Sequence, residues 1–223
     1  MNVPRRWMRS LFLAIPLLAA GGVVHSDSGG SWKVSLAWSP EFCHDSHESS
    51  REMQCTDPHA FVLGGFEQVR GTGEAERCAK NFQDVSDDVM ERMLGVMWNK
   101  VVIKDEWRQH GICSGLAMME YFVNADYLAQ KIAVPEVYTK PFGVLETSSE
   151  QVRKRFVESN TGLDPDALVL RCDREWLRKV EVCVDKDLNY QACPVQPADT
   201  CRAGIKLRGV NPRLKQPDYS TTS

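Results

Sequence analysis

The sequence lacks several features that would classify it at once. No two cysteines stand in a C-x-x-C pair, the spacing most typical of structural zinc. After residue 26 no apolar run approaches the roughly 20 residues that a membrane-spanning helix needs. No internal repeat and no low-complexity tract occurs. Histidine is scarce, with five in 223 residues, which leaves few side chains for acid–base chemistry near neutral pH. A basic excess is lacking too: 27 Lys and Arg face 30 Asp and Glu. A protein that holds nucleic acid over a broad basic surface has the opposite balance. Any such contact here has to be local, in a cleft.

What is present starts with a leader. Arg5, Arg6 and Arg9 precede an apolar run from Leu11 to Val24, and small Ser26 suits a cleavage point. That is the layout of a secretory signal peptide over residues 1–26; an uncleaved anchor helix is the competing interpretation. Cleavage would leave 197 of the 223 residues, enough for one domain over 27–205. Residues 206–223 are basic and polar, with Pro212 and Pro217, and read as a flexible tail. The leader holds three Arg and no acid, so 24 basic residues would face 30 acidic ones, a net of −6.

All eight cysteines follow the leader: Cys43, Cys55, Cys78, Cys113, Cys172, Cys183, Cys193 and Cys201. An even count in an exported chain reads as four disulfides. Sequence alone leaves about a hundred pairings open. Closeness along the chain suggests Cys43–Cys55 and Cys183–Cys193, with Cys172–Cys201 outside the latter and Cys78–Cys113 left over. Each bridge is worth roughly 2–4 kcal/mol.

Periodicity gives the elements. Trp32, Val34, Leu36 and Trp38 alternate with Lys33 and Ser35, which predicts a half-buried strand. Residues 39–59 read as a polar loop closed by Cys43 and Cys55. Ala60–Leu63 reads as a short strand ended by Gly64-Gly65. Residues 67–81 read as a charged loop. Ser86 opens a helix with Asp87 and Asp88 in its first turn and Val89, Met90, Met93, Leu94 and Met97 at helical spacing. Val101–Ile103 reads as a brief apolar run. A second helix is predicted over 116–132, with Leu116, Met119, Phe122 and Val123 inward. A third begins near Ser148, where Ser148 and Gln151 have capping-box spacing. Late strands are predicted at Ala167–Leu170 and Trp176–Val184. This order makes an α+β domain.

The segment from Lys104 to Cys113 carries the legible chemistry. Glu106 and His110 are four apart, so one helical turn puts a carboxylate and an imidazole on the same face. The pair suits proton transfer near neutral pH. A surface Glu–His pair without a role is the plain alternative. Cys113 just beyond would pin the segment to rigid structure.

Glu106-Trp107, His110-Gly111 and Cys113 closely resemble the second conserved segment of the ribonuclease T2 family, His-Glu-Trp-x-Lys-His-Gly-Thr-Cys. Leu36 to Cys43 is similar to the family's first strand and its Trp-Pro-x-x-Phe-Cys turn. The cysteine order matches the family's stapling pattern, and Asn189–Pro194 is similar to its late hairpin. The resemblance spans about residues 32–201. It implies a central antiparallel sheet with packed helices and four disulfides. It also implies cleavage of RNA without metal or cofactor, through a 2′,3′-cyclic phosphate. One His takes the proton of the 2′-hydroxyl, and a second, in a Phe-x-x-His-Gly-Leu-Trp-Pro segment, protonates the leaving oxygen. His110 and Glu106 stand at catalytic positions. Trp107 and Glu67 stand at substrate-contacting ones.

The departures fall on that first segment, here Phe61 to Gln68. Gly64 stands where the proton-donating His belongs, and Glu67-Gln68 replace Trp-Pro. In the second segment Asp105 replaces the first His and Gln109 replaces the Lys. A general acid is typically worth roughly 10²–10⁴ in rate. A preorganised charge stabiliser is worth roughly 10²–10³. The expectation is a secreted or periplasmic monomer with a degraded ribonuclease site that holds single-stranded RNA or nucleotides weakly. One alternative is a working endonuclease using His110, Glu106 and a substitute acid. Another is a non-catalytic module that binds a protein. His44 and His47, with Asp45 and Glu48, have the spacing of a weak metal site at most.

Overall fold

The computed structural model describes residues 30–45, 53–57, 59–69, 83–194 and 199–210. Strand β1 (Trp32–Trp38) forms as its alternation predicts: Val34, Leu36 and Trp38 are buried in the core. It pairs antiparallel with β2 (Phe61–Gln68) on one side and β5 (Trp176–Val184) on the other. On its far side β5 takes β4 (Leu168–Asp173), also antiparallel. Strands β3 (Leu145–Ser148) and β6 (Gly204–Leu207) pair antiparallel, and β6 meets β5 in parallel at Trp176 and Lys206. The sheet is therefore mixed, where an antiparallel one was expected. The Cys172–Cys201 bridge brings the chain back to β4 beside the start of β5. From there β6 runs the same way as β5.

Helices α3 (Asp87–Met97), α4 (Lys100–Gln109) and α5 (Met118–Lys131) pack on β2, and α5 reaches β1. Ser86 stands at the N-cap of α3, with Asp87 and Asp88 in the first turn as expected. Trp98 ends α3 in the left-handed region, at φ 57°. The next residue, Asn99, starts α4 by accepting from the Val101 and Val102 N–H groups. This two-residue corner turns Val101–Ile103, read above as an isolated apolar run, into the first turn of a helix. Helix α6 (Ser149–Ser159) begins as predicted, with Ser148 Oγ accepting from Gln151 N–H at 3.1 Å.

The helix phase in α5 differs from the expectation. Met119 and Val123 are 40% and 37% exposed, while Tyr121, Phe122, Ala125 and Leu128 face inward. Tyr121 anchors that phase because its ring sits among Trp32, Phe66, Trp107 and Phe122. The stapled loop also gains structure, as α1 (Ser39–Asp45) and the single turn α2 (Met53–Thr56), joined by Cys43–Cys55. Cys183–Cys193 pairs as spacing suggested. Cys113 is disulfide-bonded as well, and its expected partner Cys78 lies outside the described residues. The folded part does not stop at residue 205: β6 continues to Leu207, and Val210 N–H donates to Pro141 C=O. Two neighbours hold that end, with Arg208 Nε 2.6 Å from buried Glu41 and its guanidinium 3.9 Å from the Trp176 ring centre.

Candidate active site on the edge strand

Strand β2 is the edge of the sheet, and it runs straight through Gly64-Gly65 instead of ending there. Opposite it the register slips: Ser35 faces Gly65 and Leu36 faces Leu63, so Gly64 is the extra residue of a β-bulge. A Cβ on Gly64 would stand 2.8 Å from Ala37 Cβ and 3.3 Å from Ala37 N. The space where a side chain would begin is already filled by the neighbouring strand.

An edge strand leaves outward N–H and C=O groups without a partner strand. At Phe66 side chains take that place. Its N–H donates to Glu106 Oε1 at 2.5 Å, and its C=O accepts from the Tyr121 hydroxyl. Glu106 reaches this point because it lies on the buried stripe of α4 with Ile103 and Trp107, at i, i+3 and i+4. Gly65 permits the approach: a Cβ there would lie 3.1 Å from Glu106 Oε2.

The Tyr121 oxygen is also 2.7 Å from Glu106 Oε1. A phenol has one proton to give. That proton is shared between two acceptors, Phe66 C=O and Glu106 Oε1. Burial pushes the Glu106 pKa up to about 7, against the Phe66 and Tyr121 hydrogen bonds, which lower it; Glu67 adds to the rise and Lys179 opposes it. Burial, then the Glu106 charge, also push Tyr121 well above its ordinary value. Glu106 is thus a carboxyl group held partly neutral at neutral pH.

His110 follows α4 as its C-cap residue, its N–H donating to Glu106 C=O at 3.0 Å. Its ring turns toward β2, with Nδ1 3.5 Å from Glu67 Oε2. Glu67 Oε1 is 2.7 Å from Lys33 Nζ, directly across the ladder on β1. Lys33 Nζ is also 3.3 Å from Glu181 Oε2 on β5. Glu181 is 1% exposed and accepts from Arg171 at 2.9 Å, with Lys179 at 3.1 Å. Burial alone would raise the Glu181 pKa, but Lys179, Lys33 and Arg171 outweigh it and hold it below the usual carboxylate range. A chain of paired charges thus crosses four strands, from Arg171 on β4 through Glu181 and Lys33 to Glu67 on β2, and ends beside His110.

The structure brings Glu106, His110 and Glu67 together between β2 and the end of α4, with Gly64 in the middle of the same strand beside Ala37. Trp107 is a correction. Expected to touch substrate, it is 5% exposed, packs against Tyr121 and Phe122, and donates from Nε1 to Gln83 C=O at 3.1 Å. Gly111 lies flush on its ring, which leaves no space for a Cβ. Gln109 is exposed, and Asp105 is 3.6 Å from Arg108 on the helix surface. The His59 ring lies 4.1 Å from that of Trp98, tilted by 35°, and burial lowers its pKa. His47 and Glu48 lie outside the described residues, and no group of His, Cys, Asp and Glu able to hold a metal occurs among the described ones. Sequence reasoning missed Tyr121 and Lys33. The signal for Lys33 was its place on the polar side of β1. Tyr121 would have needed the correct phase of α5.

The family model described as "Ribonuclease T2 family" matches residues 30–193. A protein named ribonuclease from Aeromonas hydrophila is 25% identical over 197 residues, covering 84% of this chain and 83% of that one. Among solved structures, trichomaglin, described as an S-like ribonuclease, superposes with a TM-score of 0.67 at 17% identity, over 82% of this chain and 98% of its own. An RNase-related protein from Calystegia sepium gives 0.65 at 20% identity, over 82% and 98%. RNase NT, solved with 5′-AMP, gives 0.64 at 19%, over 81% and 98%.

Proposed function

Since the chain belongs to the ribonuclease T2 family, we propose that it is an exported member whose site holds nucleotide or single-stranded RNA and cleaves it slowly or not at all. The observation that carries this proposal is Gly64, a position with no proton to give and with Ala37 Cβ filling the space of a side chain. The base side of the reaction is intact in kind, since His110 stands at the end of α4 with a carboxylate at Nδ1. The family chemistry needs both sides. His110 can take the 2′-hydroxyl proton, but the departing ribose oxygen lacks its donor. Loss of that donor alone costs roughly 10²–10⁴ in rate. Gln109 in place of the family's Lys removes a charge stabiliser as well, and such losses do not simply add. Export is supported by the Arg-led apolar leader over residues 1–26 and by the paired cysteines.

The test is turnover of single-stranded RNA by the purified protein without metal, from pH 4 to 8, beside His110→Ala. Both proteins should be equally slow, while 5′-AMP should bind the unaltered one in a saturable way. Fast cleavage that vanishes in His110→Ala would restore the working-enzyme alternative.

A further inference from the structure

Glu67 sits in this cleft with one nitrogen partner on each carboxylate oxygen: Lys33 Nζ at 2.7 Å on Oε1 and His110 Nδ1 at 3.5 Å on Oε2. This is how a phosphate would lie between two such groups, one oxygen to each. We propose that Lys33 and His110 form an oxyanion site, that its ligand class is a phosphate monoester or diester, and that Glu67 occupies it from within the chain. The proposal rests on the nuclease-like reading of the cleft and adds why that cleft should hold phosphate weakly.

Two features make this more than a surface ion pair. Lys33 does not depend on Glu67 for its position. Its side chain is 15% exposed, and its ammonium is also held by buried Glu181, which Arg171 and Lys179 fix in turn. The His110 backbone is held at the end of α4, where its N–H donates to Glu106 C=O. Lys33 therefore stays in place if the carboxylate goes, and with His110 beside it the site is preorganised for an anion. The second feature is access. Glu67 and His110 side chains are 32% and 30% exposed, so solvent reaches the position that the carboxylate fills.

A tethered carboxylate competes at an effective concentration on the order of millimolar or higher, so a free phosphate has to displace it. Replacing Glu67 with Gln keeps size and hydrogen bonding but removes the competing charge. Titration calorimetry of the full chain with inorganic phosphate, at low salt and pH 6, reads the result directly. Glu67→Gln should bind phosphate at least tenfold more tightly than the unaltered protein. Adding Lys33→Gln or His110→Ala should each abolish that gain. No gain in Glu67→Gln, or a gain that survives both second changes, overturns the proposal. If Glu67→Gln does not fold, Glu67→Asp draws the carboxylate back by one methylene and should give a smaller gain with the same dependence. Inorganic phosphate carries no base or ribose, so this outcome is separate from RNA turnover. Fast cleavage would sink the impaired-enzyme reading and leave the phosphate result standing.

Discussion

The two segments that meet at the cleft have met different fates. On α4 the motif Glu106-Trp107-x-x-His110-Gly111-x-Cys113 keeps its residues and is tied down at every point. Glu106 caps the sheet edge, Trp107 is core, Gly111 lies on that ring, and Cys113 is in a disulfide. On β2 the facing segment forms the strand, its bulge and the close approach at Gly65, and it carries Gly64 and Glu67 where the resemblance leads one to expect His and Trp. The contrast separates residues with a visible structural task from positions that have none. Glu106 and Gly65 build the edge of the sheet, while Trp107 and Gly111 pack in the core behind it. Gly64 stands at the bulge, where Ala37 fills the space that a side chain would enter.

That contrast can be broken most forcefully by putting the missing groups back. Gly64→His alone should fail, because its Cβ would meet Ala37 Cβ at 2.8 Å, and a lower melting temperature is the expected readout. The combination Ala37→Gly, Gly64→His and Gln109→Lys gives the imidazole its space and returns the cation. RNA cleavage should then rise by about 10² or more over the unaltered protein. No rise in a folded triple variant would mean that Gly64 does not face the reacting phosphate.

A smaller effect sharpens the structural role of Glu106. Its pKa is raised to about 7 in the fold, from an ordinary value near 4.5. The folded state therefore binds one more proton than the unfolded state between those values, so stability falls as pH rises through that window. The contribution is fully present below about pH 4.5 and lost by pH 7, worth roughly 3 kcal/mol for a buried group of this kind. Glu106→Gln should flatten that dependence and be more stable than the parent at pH 8, as denaturant midpoints at pH 5 and 8 would reveal. An unchanged pH slope would mean that Glu106 is charged in the fold.

Smaller again is Tyr121→Phe. It keeps the ring among Trp32, Phe66 and Trp107 but leaves Phe66 C=O without its donor on the sheet edge. A cost of about 1–2 kcal/mol is expected from chemical denaturation, with RNA and phosphate binding unmoved.

How much of this was legible in the sequence depends on the range of the interaction. Strands β1 and β5 and the starts of α3 and α6 follow from local alternation and caps, which a single segment carries within itself. Strands β3 and β6 were invisible because each is four residues long and is stabilised by the other across the chain. The α5 phase was misread because Met119 and Val123 are as apolar as the residues that replaced them inside. Only the buried partner of the Tyr121 hydroxyl settles which stripe faces in. At the site, the resemblance pointed to Glu106, His110 and Gly64. It could not reveal that Glu106 is spent on the strand edge, or that Lys33 reaches Glu67 from across the ladder.

The central claim is that the ribose oxygen leaving the phosphate finds no proton donor opposite His110. The most direct measurement is the appearance of 2′,3′-cyclic phosphate ends when a defined single-stranded RNA is incubated with the pure, unaltered protein in chelator. The prediction is that such ends accumulate no faster than with His110→Ala. Rapid accumulation that disappears on His110→Ala would contradict it.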